Sequence, residues 1–382
     1  MNNDCPAPVW VNNNQQLAKI CQHWMAQPVL AVDTEFMRTD TFFPILGLIQ
    51  VSDGVDCWLI DPLAEMDLSP VKDMLISNNI VKVFHSCSED LEVLQQTFGV
   101  LPEPLFDTQV AAAFAGSPFG CGYNRLLSEV LGIELDKHET RSDWLQRPLT
   151  DSQCRYAAED VYYLFHVYQS ISQQLETSGR DAWVAEEMDE LLHKARNPFT
   201  PETYYQKVKG AWKLSPQQLG VLKPLCQWRE QQAIALNRPR GRVVKDNDLL
   251  SIAINQPQTL DYLAQITRLH PGQIRRFGLS LLELVKEGQS LSQDQLPEPL
   301  PDALPRETRQ MFKALRSLID ETAEQTGLPK ELLATKLDIE QAIRSIQPGE
   351  ELKSGRLFQG WRANMLEDQL IQCIRENLVE LS

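Results

Sequence analysis

Val29-Leu30-Ala31-Val32 is an unbroken apolar run that ends on Asp33-Thr34-Glu35-Phe36. Four apolar residues without alternation read as a strand buried on both faces. Side chains alternate along a strand, so Asp33 and Glu35 leave it on the same side, about 7 Å apart along the chain. Two acids on one face at a buried strand end repel each other and cost desolvation. Either they are ordinary solvated acids at a strand exit, or a divalent cation between them removes both objections.

The surrounding pattern predicts a sheet with helices. Asn12-Asn13-Asn14 is a turn and cap before an amphipathic helix from Gln15 to Met25. Ile45 to Val51 is a second strand, and Asp53-Gly54 turns it into a third at Cys57 to Ile60, giving an antiparallel meander. A helix near Pro70 to Asn78 leads to a strand from Ile80 to His85. Ser86-Cys87-Ser88-Glu89-Asp90-Leu91 then opens a helix, with serine suited to the cap and acids to the first turn. By itself that accounts for Asp90, and a satisfied core or edge histidine accounts for His85. Asp107 caps a helix of small residues running to Ala115, and Gly116 to Gly122 is a loop without G-x-G-x-x-G order. Thr150 and Gln153 form a capping box, with Leu149 and Cys154 as its staple, for a helix reaching about Gln174. Tyr156 and Asp160 stand one turn apart on that helix.

Past Arg196-Asn197-Pro198 the pattern becomes helical. Leu219, Leu222, Leu225 and Trp228 share a face. Asn237 to Arg242 is a basic loop, followed by short helices at Asp246 to Ile254, Thr259 to Thr267, Pro271 to Arg276 and Leu281 to Lys286, the last two separated by Gly278. Leu296-Pro297-Glu298-Pro299-Leu300-Pro301 is a semi-rigid linker. Beyond it a faint repeat recurs ninety positions later, pairing Lys223 with Lys313, Leu225 with Leu315, Ala233 with Ala323 and Pro239 with Pro329.

Composition narrows the classes. The 382 residues exceed one ordinary core and imply two or three domains. No apolar run reaches the roughly 20 residues of a membrane span, and Met1-Asn2-Asn3-Asp4-Cys5 lacks a signal-peptide pattern. Eight cysteines without regular spacing point to reduced thiols and a cytoplasmic location, not to disulfides or zinc. The net charge of −16 lies in residues 1–210, with 30 acids against 14 bases, while residues 211–382 hold 22 of each. An acidic half does not bind nucleic acid by bulk charge, but an acidic metal site can meet phosphate through cations.

Taken together, Asp33, Glu35, Asp90 and Asp160 supply four carboxylates and Tyr156 a phenol. Four such acids can hold two hard divalent cations, Mg²⁺ or Mn²⁺, about 4 Å apart on a phosphodiester. Tyr156, whose phenol ionises near 10 when unperturbed, would orient a water and not act as base. This set resembles the three motifs of the tyrosine branch of the DEDD exonuclease superfamily. Phe84-His85, Asp90-Leu91, Phe106-Asp107-Thr108-Gln109, Asp143-Trp144, Arg147-Pro148-Leu149 and Tyr156-Ala157-Ala158 are similar to words of the ribonuclease D family. The first helical stretch resembles the HRDC domain, and the second departs further, with Gly327-Leu328-Pro329-Lys330 in place of the arginines.

The resemblance implies an α/β exonuclease domain over residues 1–205, a ribonuclease H-like mixed sheet flanked by helices. Two all-α HRDC-type bundles would follow at 211–292 and 300–382. It implies a metal-dependent 3′→5′ exoribonuclease releasing 5′-mononucleotides from RNA with a single-stranded 3′ end, such as tRNA precursors and small stable RNAs. The four acids become metal ligands and Tyr156 the water-positioning residue, in a cytoplasmic monomer. Arg238, Arg240 and Arg242 either hold phosphates or form a solvated turn. A DNA exonuclease and a non-catalytic RNA-binding scaffold are the rival readings.

Overall fold

The structure, a computed structural model, describes residues 5–135, 139, 142–302, 304–345 and 355–379. Its contacts divide it into two compact units, one of Met1–Met37, Leu46–Arg196 and Leu304–Ser382, the other of Arg38–Ile45 and Asn197–Ala303.

The first unit begins with β1 (Val9–Val11), α1 (Asn14–Trp24), β2 (Val29–Met37), β3 (Ile45–Ser52) and β4 (Cys57–Ile60). Asn13 caps α1 by accepting the Gln16 N–H, as the asparagine run predicts. Next come α2 (Ser69–Ile76), β5 (Val81–Phe84), α3 (Ser88–Phe98), β6 (Leu105–Asp107) and α4 (Thr108–Phe114). The strands form one mixed sheet in the order β1-β4-β3-β2-β5-β6. β3 and β4 are antiparallel, and Gly54 turns the hairpin with φ +83°. β1 runs parallel to β4, and β5 runs parallel to β2 and to β6. The apolar run of β2 therefore lies inside the sheet, with Leu30, Ala31 and Val32 fully buried.

Three further helices complete the nuclease part: α5 (Tyr123–Leu131), α6 (Asp151–Ser178) and α7 (Asp181–Arg196). The Thr150–Gln153 capping box starts α6, which crosses the sheet against β2, β4 and β5. β1, β6, α5 and α7 have no counterpart in the sequence reading. Two of them are three-residue strands, too short to show alternation.

The second unit contains α8 (Pro216–Ala235), α9 (Arg240–Val243), α10 (Asp246–Asn255), α11 (Leu260–Ile266) and α12 (Pro271–Gln289). Two expectations need correction. The basic loop is partly the helical turn α9. Gly278 separates nothing, because α12 is continuous and Gly278 is buried where a Cβ would meet Leu260 Cδ2 at 2.6 Å. Close packing, not helix breaking, explains that glycine.

The remaining helices of the first unit are α13 (Arg309–Thr326), α14 (Lys330–Leu333), α15 (Lys336–Arg344) and α16 (Gly360–Val379). They repeat α8, α9, α10 and α12. Pro239 precedes α9 at φ −53°, ψ 140°, and Pro329 precedes α14 at φ −57°, ψ 134°. This second bundle packs on α7 through a buried charge cluster. Glu187, 7% exposed, accepts Arg362 Nη1 at 2.5 Å, Trp361 Nε1 at 2.9 Å and Arg356 Nη2 at 2.6 Å. Trp183 and Trp361 stack beside it, 5.3 Å apart.

Removing one partner of a buried ion cluster strands the others without solvent. Glu187→Ala should therefore destabilise the first unit by about 3–5 kcal/mol, measured by urea unfolding. A loss below about 1 kcal/mol, the range of exposed pairs, would show the cluster to be dispensable.

Candidate active site

Three elements bring the acids together. β2 passes its last residue paired with β5, Ala31, and then presents Asp33 and Glu35. Asp90 sits in the first turn of α3, and Asp160 follows Tyr156 by one turn in α6. One carboxylate oxygen from each of Asp33, Glu35 and Asp160 lies within 4.8 Å of the others. Asp90 joins the group through Thr34, whose hydroxyl donates to its carboxylate.

Asp107 serves the site from behind. It caps α4 by accepting Gln109 N–H at 2.8 Å, and it also accepts Ser86 N–H at 3.0 Å and Cys87 N–H at 2.8 Å. Those bonds hold Ser86 at φ +59°, the turn from which α3 delivers Asp90. The structural role read for Asp107 from its capping position is what the geometry provides.

The acids stand close enough to suppress one another's ionisation. Burial, and then the Asp160 carboxylate, push Asp33 up to about 8. Burial followed by Asp33, Asp160 and Asp90 pushes Glu35 up to about 10. Burial raises Asp160 to about 7 against the hydrogen bond from Tyr156. Asp90 is raised well above the carboxylate range by burial and by Asp33. The Tyr156 phenol is also pushed up, by burial and by the Asp160 and Glu35 carboxylates, so it stays protonated and donates. An all-oxygen donor set whose members repel one another matches a hard divalent cation, which takes the place of the retained protons. The acid cluster thus suggests dependence on divalent metal.

The cluster opens into a cavity of about 470 Å³ whose wall includes Phe36, His85, Tyr123, Asn124 and Arg125. His85 is not simply a core histidine: it lies on this wall, with Nδ1 3.0 Å from the Thr108 hydroxyl and its ring 5.2 Å from Tyr123. Tyr123 donates to the Asp160 backbone carbonyl at 2.6 Å and so pins the turn of α6 that carries Asp160. Neither Tyr123 nor Thr34 had a spacing that marked it, since each acts through tertiary contacts.

The three arginines read as one loop do not act as one group. Arg240 pairs with Glu230 at 2.6 Å and lies over the rings of Phe42 and Tyr204, 4.6 and 4.9 Å from their centroids. It is tied into the second unit. Arg238 and Arg242 instead line a cavity of about 220 Å³ with His270, Gly272, Gln273 and Arg276. Arg276 lies on α12, well outside the loop, and no acid among the described residues lines this cavity.

Three families match successive parts of the chain. The 3′-5′ exonuclease family matches residues 8–176, the HRDC domain family 218–285, and the ribonuclease D C-terminal HRDC domain family 307–370. Ribonuclease D of Pseudomonas paraeruginosa is 43% identical over 97% of this chain and 98% of its own length. Ribonuclease D of Escherichia coli K12 is 38% identical over 96% and 98%. The crystal structure of Escherichia coli RNase D, an exoribonuclease involved in structured RNA processing, superposes with a TM-score of 0.89, covering 97% of this chain and 99% of that one. The catalytic core of RRP6 from Trypanosoma brucei shares the fold, with a TM-score of 0.59 at 24% identity.

The acid cluster ties stability to pH. An unfolded Asp or Glu releases its proton near pH 4, whereas folded Asp33 and Glu35 keep theirs to about 8 and about 10. Between those limits the folded chain holds more protons than the unfolded one, so rising pH destabilises the metal-free protein. Adding Mg²⁺ to EDTA-treated protein should raise the Tm more at pH 8 than at pH 5, and Asp33→Asn should remove the difference. Equal gains at both pH values in a thermal scan would contradict the assignment.

Proposed function

We propose, on the premise that this chain belongs to the ribonuclease D family, that Asp33, Glu35, Asp90 and Asp160 are its metal ligands and Tyr156 orients the attacking water. The chain is a 3′→5′ exoribonuclease, with an exonuclease domain followed by HRDC domains. The observation that carries the residue assignment is the meeting of Asp33, Glu35 and Asp160 oxygens within 4.8 Å on the wall of one cavity beside Tyr156. Two divalent cations, Mg²⁺ or Mn²⁺, would supply a water activated at neutral pH and neutralise charge on the departing 3′ oxygen.

The protein's own part is positional. Tyr156, held protonated and donating its one hydroxyl proton to Asp160, accepts from the water and fixes its line of attack. The water oxygen bonds to phosphorus, and the bond from phosphorus to the 3′ oxygen of the preceding nucleotide breaks. One water proton ends on that 3′ oxygen, and the terminal nucleotide leaves as its 5′-monophosphate. The chain is then one nucleotide shorter, with a new 3′ hydroxyl in the same chemical setting.

RNA with a single-stranded 3′ end, including tRNA precursors and small stable RNAs, is the proposed substrate, acted on in the cytoplasm by a monomer. The three-part division at 1–205, 211–292 and 300–382 remains our assignment of the domains. Arg238, Arg242 and Arg276 are proposed to grip the RNA backbone, since guanidinium matches phosphate, no acid among the described residues lines their cavity, and the pair that Arg242 makes with Asp40, at 3.5 Å, is solvent-exposed and weak.

A 5′-labelled RNA with a 3′ tail should shorten in a one-nucleotide ladder that EDTA abolishes. Asp33→Ala with Asp160→Ala should end hydrolysis, and Tyr156→Phe should lower kcat by about 10²-fold. Equal loss of a matched DNA would favour a nuclease without sugar preference, and uncut but bound RNA would favour a scaffold. Replacing Arg238, Arg242 and Arg276 by Gln should reduce the slope of log K against log salt by about 0.7 for each phosphate no longer neutralised. An unchanged slope would remove the groove from the RNA path.

A further inference from the structure

We infer that Arg147, through Asp61 and Trp144, is a positioning residue that sets the place of the Tyr156 ring; the inference rests on the role proposed for Tyr156. The acid cluster holds the Tyr156 hydroxyl, through Asp160, and leaves the ring to other residues. Trp144, 3% exposed, neighbours the ring in a tilted contact, the two centroids 6.2 Å apart and the planes at 39°. Trp144 and Tyr156 belong to one small apolar cluster with Leu48, Leu59, Leu149 and Ala157, distinct from the main core of the sheet. The position of Trp144 is therefore the position of the wall against which Tyr156 rests.

Trp144 sits in the segment between α5 and α6, whose described residues include no helix or strand. Two sets of polar contacts fix it. On the sheet side Arg147 forks onto Asp61, just past the end of β4, with Nε to Oδ2 at 2.9 Å and Nη2 to Oδ1 at 2.6 Å. The same guanidinium donates to the carbonyl of Gly47 in β3 at 2.6 Å, of Trp144 at 3.0 Å and of Gln146 at 2.7 Å. Asp61 is 7% exposed, so this fork works where water competes little. On the helix side Gln153, the capping-box residue of α6, donates to the Asp143 carbonyl at 3.2 Å and accepts from Gln146 Nε2 at 2.8 Å.

The approach at the sheet is close. A Cβ on Gly47 would lie 2.7 Å from the Trp144 carbonyl oxygen, so only glycine allows the segment to seat this deeply. Arg147 thus binds the strands of the sheet, the Trp144 carbonyl and the approach to α6 into one rigid bracket. Its planar fork is what does this, and a lysine presents no such fork. The bracket reaches no acid of the cluster. Its effect on hydrolysis runs through the Tyr156 ring, and a displacement near 1 Å at a reacting group costs about 10²-fold in rate.

The test is a double-mutant cycle in kcat between Arg147→Lys and Tyr156→Phe on 3′-tailed RNA, with KM, melting temperature and RNA binding in EDTA measured alongside. Arg147→Lys alone should lower kcat by about 10-fold or more, with KM and EDTA-state RNA binding within about twofold. In the Tyr156→Phe background it should cost less than about twofold, because the hydroxyl it positions is already gone. Trp144→Phe, which leaves the Arg147 fork in place, should show the same pattern and carries the cycle if Arg147→Lys fails to fold. Independent, multiplicative losses in the cycle, or an effect confined to KM, would overturn the inference while leaving Tyr156 in its role. If Tyr156→Phe alone leaves kcat unchanged, the reading of Tyr156 itself fails, and the inference falls with it.

Discussion

Carboxylates at the end of β2 cannot all be ionised where they stand unless positive charge stands among them. Asp33, Glu35 and Asp160 stand half-buried within reach of one another, and each raises the proton affinity of a neighbour. The fold does nothing to separate them. It strengthens the conflict by fixing Asp90 through Thr34 and the Asp160 turn through Tyr123. Structural acids at such a density would be a fault in a core, because their repulsion lowers stability. Rigid elements that hold a repulsion in place fit a preformed cation site, in which binding of a cation would relieve the repulsion.

The same principle explains which parts of this protein were legible in its sequence. Asp33 and Glu35 were readable because strand periodicity alone puts them on one side, and Tyr156 with Asp160 because helix periodicity does. The capping box before α6 and the caps at Asn13 and Asp107 were readable because a cap is a contact between residues two or three apart. Thr34, Tyr123 and Arg147 act across 56, 37 and 86 residues, and no local pattern encodes such distances. Gly278 misled for a related reason. Its lack of a side chain answers to Leu260 across a helix–helix contact, while a single sequence shows only that glycine disfavours helix. A run of like residues also hides which members have partners: Glu230 holds Arg240 at 2.6 Å, and Asp40 stands 3.5 Å from Arg242.

Charge burial also separates the two helical bundles. In the first, Arg229 is 1% exposed and is held by Glu230, Asp246 and the Val244 carbonyl, within the bundle itself. In the second, the buried Arg362 reaches outside its bundle to Glu187 of α7. A buried arginine held by groups of its own bundle asks nothing of a neighbouring element, whereas one paired with another element makes docking a condition of its burial. The second bundle is thereby committed to the nuclease part, and Arg180, between α6 and α7, adds a bond to the Thr326 carbonyl at 2.7 Å.

The internal repeat shows what each copy did with the same face. In the first bundle Gln273 of α12 donates to the carbonyls of Arg242 and Val243. In the second Arg362 of α16 donates to those of Leu332 and Leu333, ninety positions beyond. With that equivalence as the register, Arg238 corresponds to Leu328, Arg242 to Leu332 and Arg276 to Met365. Leu328 and Leu332 are 3% and 2% exposed and share an apolar cluster with Phe114 of α4, against which Met365 also packs. One copy thus carries three cations around a cavity where the other carries apolar side chains buried in a protein interface. A face that can bury against protein needs desolvated apolar area, and a face that holds phosphate needs guanidinium that phosphate can reach. No set of side chains serves both ends well. The two copies differ at this face accordingly, with apolar side chains packed into the nuclease part in the second and guanidiniums around a cavity in the first.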